Sequence, residues 1–162
     1  PYDGFGYGSV NEMVYPTAIE DLIPHRDRMK LIEVILDITD DGAVTSAVVS
    51  ERWPLLRNNG VDPIVIIEIV AQTAAVHVSW KRGACTSEGG GGLLVGIKKA
   101  DFYTDSIPLH TVLTTTVRSL YSAENYTVLE GAVQEGANPV GRVEIQVIRF
   151  ESGEDNPIRS EE

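Results

Sequence analysis

The chain has 162 residues, enough for one domain and short for two. Apolar residues make up 43% and charged residues 23%, a globular mix that excludes a wholly disordered chain. Thirteen Lys and Arg face 24 Asp and Glu, and the resulting net charge of −11 repels phosphate backbones, which argues against a nucleic-acid binder.

Residues 1–16 are rich in Gly and Tyr without an apolar period, and read as an N-terminal arm. Pro1 to Val10 hold no basic stretch leading into an apolar run, so no secretion signal is expected. Thr17-Ala18-Ile19-Glu20 has the spacing of a capping box and predicts a short helix through Asp21-Leu22, stopped by Pro24. Met29 to Ile38 is apolar and β-branched, Asp40-Asp41-Gly42 is a turn, and Ala43 to Ser50 follows, which predicts a hairpin.

Pro63 to Arg82 is of another kind. Asp62 is placed to cap a helix, Pro63 suits the first helical position, and Lys81-Arg82-Gly83 closes the last turn. Between them lie Ile64, Val65, Ile66, Ile67, Ile69, Val70, Ala71, Ala74, Ala75, Val76 and Val78, apolar on nearly every side. Glu68 and Gln72 interrupt the run too early for a membrane span. The segment reads as a buried core helix.

Residues 83–92, which include Gly89 to Gly92, are a flexible connection without the lysine of a phosphate loop. Leu93 to Tyr103, Leu109 to Tyr121, Tyr126 to Gln134 and Val140 to Phe150 then read as strands. In the last, Val143, Ile145 and Val147 alternate with Arg142, Glu144 and Gln146, the period of a half-buried antiparallel strand. Residues 152–162 form an acidic tail, leaving 17–151 as a single domain. Two strands, one buried helix and four strands predict an α+β fold with an antiparallel sheet of about six strands curled around the helix.

A carboxylate inside an apolar helix must be paired, hydrogen-bonded or shifted in pKa, which makes Glu68 the first candidate for chemistry. Gln72 and Ser79 share its side of the helix; the plainer alternative is a polar stripe facing a partner or water. His77 falls on the opposite side, suiting a core role, and His110 opens a strand. His25 lies in a loop, Leu22-Ile23-Pro24-His25-Arg26, where functional side chains concentrate and where a loop-anchoring bond is the alternative. Arg26, Arg28 and Lys30, with Lys98-Lys99, are basic clusters that suit an anionic partner. Metal-ligand spacing is absent among the three histidines. The single cysteine, Cys85, excludes an internal disulfide and suits a reducing, cytoplasmic setting.

Leu22-Ile23-Pro24-His25-Arg26 with Met29-Lys30-Leu31-Ile32-Glu33 resembles the opening of β-hydroxyacyl-acyl-carrier-protein dehydratases of the FabZ type. Ile66-Ile67-Glu68-Ile69-Val70-Ala71-Gln72 is similar to that family's central helix, and Gly96-Ile97-Lys98-Lys99-Ala100-Asp101-Phe102 to the strand after it. Trp53-Pro54-Leu55 and Gln72-Thr73-Ala74-Ala75 resemble the divergent branch tied to aryl-polyene clusters. The resemblance spans about 18–150 and implies a hot-dog fold, a homodimer or an oligomer of dimers, and sites at the subunit interface. It also marks two departures: no histidine occurs from Val44 to Ala75, where the family carries its catalytic one, and Pro63 replaces a glycine whose N–H polarises the thioester. By position, Glu68 alone carries over as catalytic.

The expected activity is that of a (3R)-hydroxyacyl-carrier-protein dehydratase, without cofactor or metal, acting on a thioester of acyl carrier protein or coenzyme A. Glu68, raised in pKa by its apolar surroundings, would protonate the leaving hydroxyl, with His25 as base. Its imidazole should stand within about 7 Å of a Glu68 carboxylate, in the same chain or across a subunit interface that the loop could span. Asp62, Ile64, Val65 and Gln72, with Arg26 and Arg28 at the rim, are the candidate substrate-binding residues, the Ile64 and Val65 amides replacing the lost glycine N–H. A hot-dog thioesterase in which Glu68 or Asp62 activates water, and a non-catalytic acyl-thioester-binding homologue, are the alternatives.

Overall fold

The protein is described by a computed structural model covering residues 18–83 and 91–150. The expected N-terminal arm, the acidic tail, Thr17 and most of the glycine connection lie outside the described residues. Helix α1 (Ile19–Leu22) begins at Ala18 with no side-chain cap, and Glu20 turns instead to Lys30. A single 3₁₀ turn covers Asp27–Met29.

Strand β1 (Val34–Ile38) pairs antiparallel with β2 (Gly42–Val48), the expected hairpin, but Met29 to Glu33 is not strand. Leu31 and Ile32 are fully buried there in irregular backbone. A buried irregular segment needs partners for its N–H groups, and these come from the long helix described below. Then come β3 (Leu56–Arg57), β4 (Gly60–Val61), helix α2 (Val65–Lys81), β5 (Gly91–Phe102), β6 (Ile107–Pro108), β7 (Val112–Ala123), β8 (Tyr126–Glu135) and β9 (Asn138–Phe150). Six strands form one antiparallel sheet in the order β1-β2-β7-β8-β9-β5, and β3-β4-β6 form a small second one. The sheet wraps α2, and the architecture is the hot-dog fold.

Helix α2 buries Val65, Ile66, Ile69, Val70, Ala74 and Val76. Glycine permits the close approach of helix and sheet: a Cβ at Gly131 of β8 would overlap the Val70 side chain. Thr73 Oγ1 bonds Thr45 of β2 at 2.8 Å and the Ile69 carbonyl at 2.8 Å. On the opposite side from Glu68, His77 is buried and its Nε2 lies 3.2 Å from the Asp40 carbonyl, tying α2 to the β1–β2 turn. Burial lowers its pKa.

The helix opens differently from expectation. Asp62 acts one step early: its Oδ1 accepts the Ile64 N–H at 3.1 Å, its carbonyl accepts the Val65 N–H at 3.1 Å, and regular α-helix starts at Val65. Asp62→Ala removes a side-chain acceptor from this turn and should cost about 1 kcal/mol, as lost helix caps do, measured by urea or thermal unfolding.

Candidate functional site

The polar side of α2 is where residues 22–32 dock. Ser79 Oγ donates to the Leu22 carbonyl at 2.8 Å, and Gln72 bonds Met29 and Leu31. The stripe of Glu68, Gln72 and Ser79 therefore faces residues 22–32 of the same chain. This docking carries His25 onto the helix: its Nε2 stands 3.0 Å from Glu68 Oε1. The separation lies well inside the expected distance, and the two residues belong to one chain, one of the two arrangements that the loop position left open. Each side chain is 31% exposed.

Arg26 fixes the loop. Its guanidinium donates to the carbonyls of Ile23 at 2.7 Å, His25 at 2.8 Å and Glu20 at 2.8 Å. Arg28 Nε donates to the Arg52 carbonyl at 3.2 Å. The expected rim role of Arg26 and Arg28 is thus corrected, because their donors hold backbone and neither side chain lines the cavity beside the pair. Lys98 and Lys99 are ion-paired with Glu144 and Asp101.

That cavity, about 520 Å³, starts at His25 and Glu68 and follows α2 past Ala71, Ala75 and Val78 to Arg82, closed by Leu93 of β5 and Phe150 of β9. Fourteen residues of helix separate Glu68 from Arg82, about 21 Å at 1.5 Å per residue. The alanines make the room. The space suits an elongated, mostly apolar ligand with its reactive end at the pair.

The Ile64 and Val65 amides do not serve as the expected oxyanion donors in this arrangement, since both N–H groups are given to Asp62. Asp62 itself is occupied in that turn. Gln72 is buried at 0% exposure with its carboxamide turned inward, so its expected substrate-facing position is corrected as well. What sequence reasoning missed is Arg82 at the far end of the cavity, where it had been read only as part of a helix stop.

The Glu68 carboxyl is held below its ordinary value of 4.5, first by the His25 N–H and then by Gln72, against the burial that raises it. The expectation of an upward shift is overturned: a paired carboxylate in a half-open site keeps its charge. A depressed folded-state pKa gives stability that is present above 4.5 and is lost as pH falls through the folded value. His25→Ala should shrink the loss of thermal stability between pH 5 and pH 3, seen by comparing melts of the two proteins across that range.

Among the described residues no group of three or more His, Cys, Asp and Glu side chains could hold a metal ion, and no helix is long and apolar enough to cross a membrane.

The model of the ApeP-like family, described as ApeP dehydratase, matches residues 17–156. No curated protein sequence matches the chain. Among solved structures, the dehydratase heterocomplex ApeI:P from Xenorhabdus doucetiae aligns with a TM-score of 0.73 at 19% identity, over 83% of this chain and 91% of that one. A hypothetical thioesterase with coenzyme A from Streptococcus pneumoniae TIGR4 aligns at 0.58 and 13%, over 73% and 85%. The PaaI protein from the phenylacetic acid degradation operon of E. coli aligns at 0.57 and 13%, over 71% and 81%. At these identities the likeness is one of fold.

Proposed function

Because the chain belongs to the ApeP-like dehydratase family, we propose that it removes water from a (3R)-hydroxyacyl thioester to leave a trans-2-enoyl thioester. The observation that carries the reading is the 3.0 Å pair of His25 and Glu68 at the head of an apolar cavity. Elimination needs a base for the α proton and an acid for the departing hydroxyl. With Glu68 a carboxylate, the available proton is on the imidazole Nε2, which points at it. The assignment therefore runs opposite to the sequence expectation. Glu68 takes the proton from Cα, the C–H pair becomes the double bond, and His25 delivers a proton to the hydroxyl, which leaves as water. Solvent water at this half-open site then takes the proton from the carboxyl and returns one to the imidazole, restoring the pair.

The substrate is carried on an acyl carrier protein or coenzyme A, and the protein works in the cytoplasm. Exposed Leu94, Val95, Ile97, Phe102 and Tyr103 on and just after β5, the edge strand of the sheet, support a homodimer, since long apolar edges are sites of strand pairing. The heterocomplex among the structural neighbours supports an assembly of hot-dog chains more generally.

Incubation with 3-hydroxyacyl thioesters of coenzyme A and of a carrier protein tests the reading. Conjugated enoyl thioester, seen by its ultraviolet absorbance and mass, is expected. Free thiol without enoyl product would assign the protein to the thioesterases, and neither product would leave a binding protein.

A further inference from the structure

The side chain of Gln72 uses every hydrogen-bonding position it has. Its Oε1 accepts the N–H groups of Leu31 at 2.9 Å and Ile32 at 3.4 Å. Its Nε2 donates one hydrogen to the Met29 carbonyl at 2.5 Å and the other to Glu68 Oε1 at 2.9 Å. A carboxamide has two donors and a two-lone-pair acceptor, so nothing remains for a ligand. The orientation is fixed too: turned over, its oxygen would meet two acceptors and its NH₂ two N–H groups. Met29 to Ile32 is the irregular segment that continues from the His25 loop, so one side chain joins the backbone behind His25 to the carboxylate in front of it.

At Glu68 the two donors converge on one atom. His25 Nε2 at 3.0 Å and Gln72 Nε2 at 2.9 Å both meet Oε1, while Oε2 has no hydrogen-bond partner among the described residues. We propose that Gln72 is the positioning residue of the pair, holding Oε1 against His25 so that Oε2 is the oxygen that takes the substrate's α proton. The assignment rests on the dehydratase reading for its reaction, and on geometry alone for the choice of oxygen. The transfer is balanced: the proton passes from Cα to an Oε2 lone pair, the C–H electrons form the double bond, and the C–O electrons leave with the hydroxyl, protonated by His25. Gln72 exchanges nothing.

Gln72→Leu, close in volume, and Gln72→Glu, which sets a second carboxyl against Glu68, test the role in the full-length protein. The leucine variant should lose roughly 10- to 100-fold in kcat, the scale seen when an orienting partner is removed, with KM within about twofold of the parent. Carbon-13 titration of the Glu68 carboxyl, whose titratable neighbour is His25 from the loop, should move upward in leucine and further in glutamate. A raised KM with unchanged kcat, or an unmoved titration, overturns the assignment. Because leucine strands three backbone groups and either variant could unfold, the unmodified protein supplies a further measurement. Both Gln72 carboxamide protons should be protected from exchange and should shift with the Glu68 titration; solvent-like exchange overturns the proposal. Absence of dehydration by the unmodified protein would defeat the functional reading, leaving the titration and exchange results to decide the positioning role separately.

Discussion

Glu68→Gln should abolish dehydration, lowering kcat/KM by about 10² to 10⁴, while thermal unfolding stays close to that of the parent. The glutamine keeps the volume and the half-buried position, and its carboxamide oxygen still accepts from His25 and Gln72, but it cannot take a proton. Formation of enoyl thioester by the variant, followed by ultraviolet absorbance, measures the loss. Activity within tenfold of the parent would remove Glu68 from the chemistry and point to His25 acting with another group.

The largest effect on folding is expected at Gly131. The helix and sheet approach so closely there that an added methyl overlaps the branched side chain of Val70, which has one favoured rotamer in a helix and cannot swing aside. Gly131→Ala should cost about 1–3 kcal/mol, several degrees of melting temperature in a domain of this size. Because Val70 sits half a turn from Glu68, the displacement should also lower activity. Val70→Ala costs stability on its own by opening a cavity, yet the double variant should be more stable than the sum of the single losses predicts. Simple additivity would mean that the two positions do not meet.

Helix α2 was legible because its signals are local: the cap at Asp62, the proline, the apolar run and the glycine after Arg82 lie within some twenty residues. The alternation in β9 was local in the same way. Met29 to Ile32 misled because an apolar, β-branched run has the composition of a strand, while its actual hydrogen-bond partner, Gln72, is 41 residues away from Leu31. The strands of the small second sheet, two residues each, are too short to show any period. Glu68 stood out as a charge among hydrocarbons, and His25 as a histidine in a loop. Their pairing depends on how residues 22–32 dock, and with it went the direction of the Glu68 shift. Burial alone predicts a rise; the imidazole that reverses it is 43 positions earlier in the chain.

The pair of His25 and Glu68 is closed within one chain, and this has a genetic meaning. On the proposed reading each copy, however many assemble, brings its own acid and its own base. A subunit lacking His25 cannot borrow one from a neighbour lacking Glu68, so mixing the two defective proteins restores nothing, whereas a site shared across an interface would regain a fraction of its centres in mixed dimers. Activity in such mixtures should follow the proportion of intact chains, as it does for independent engines that happen to share a frame.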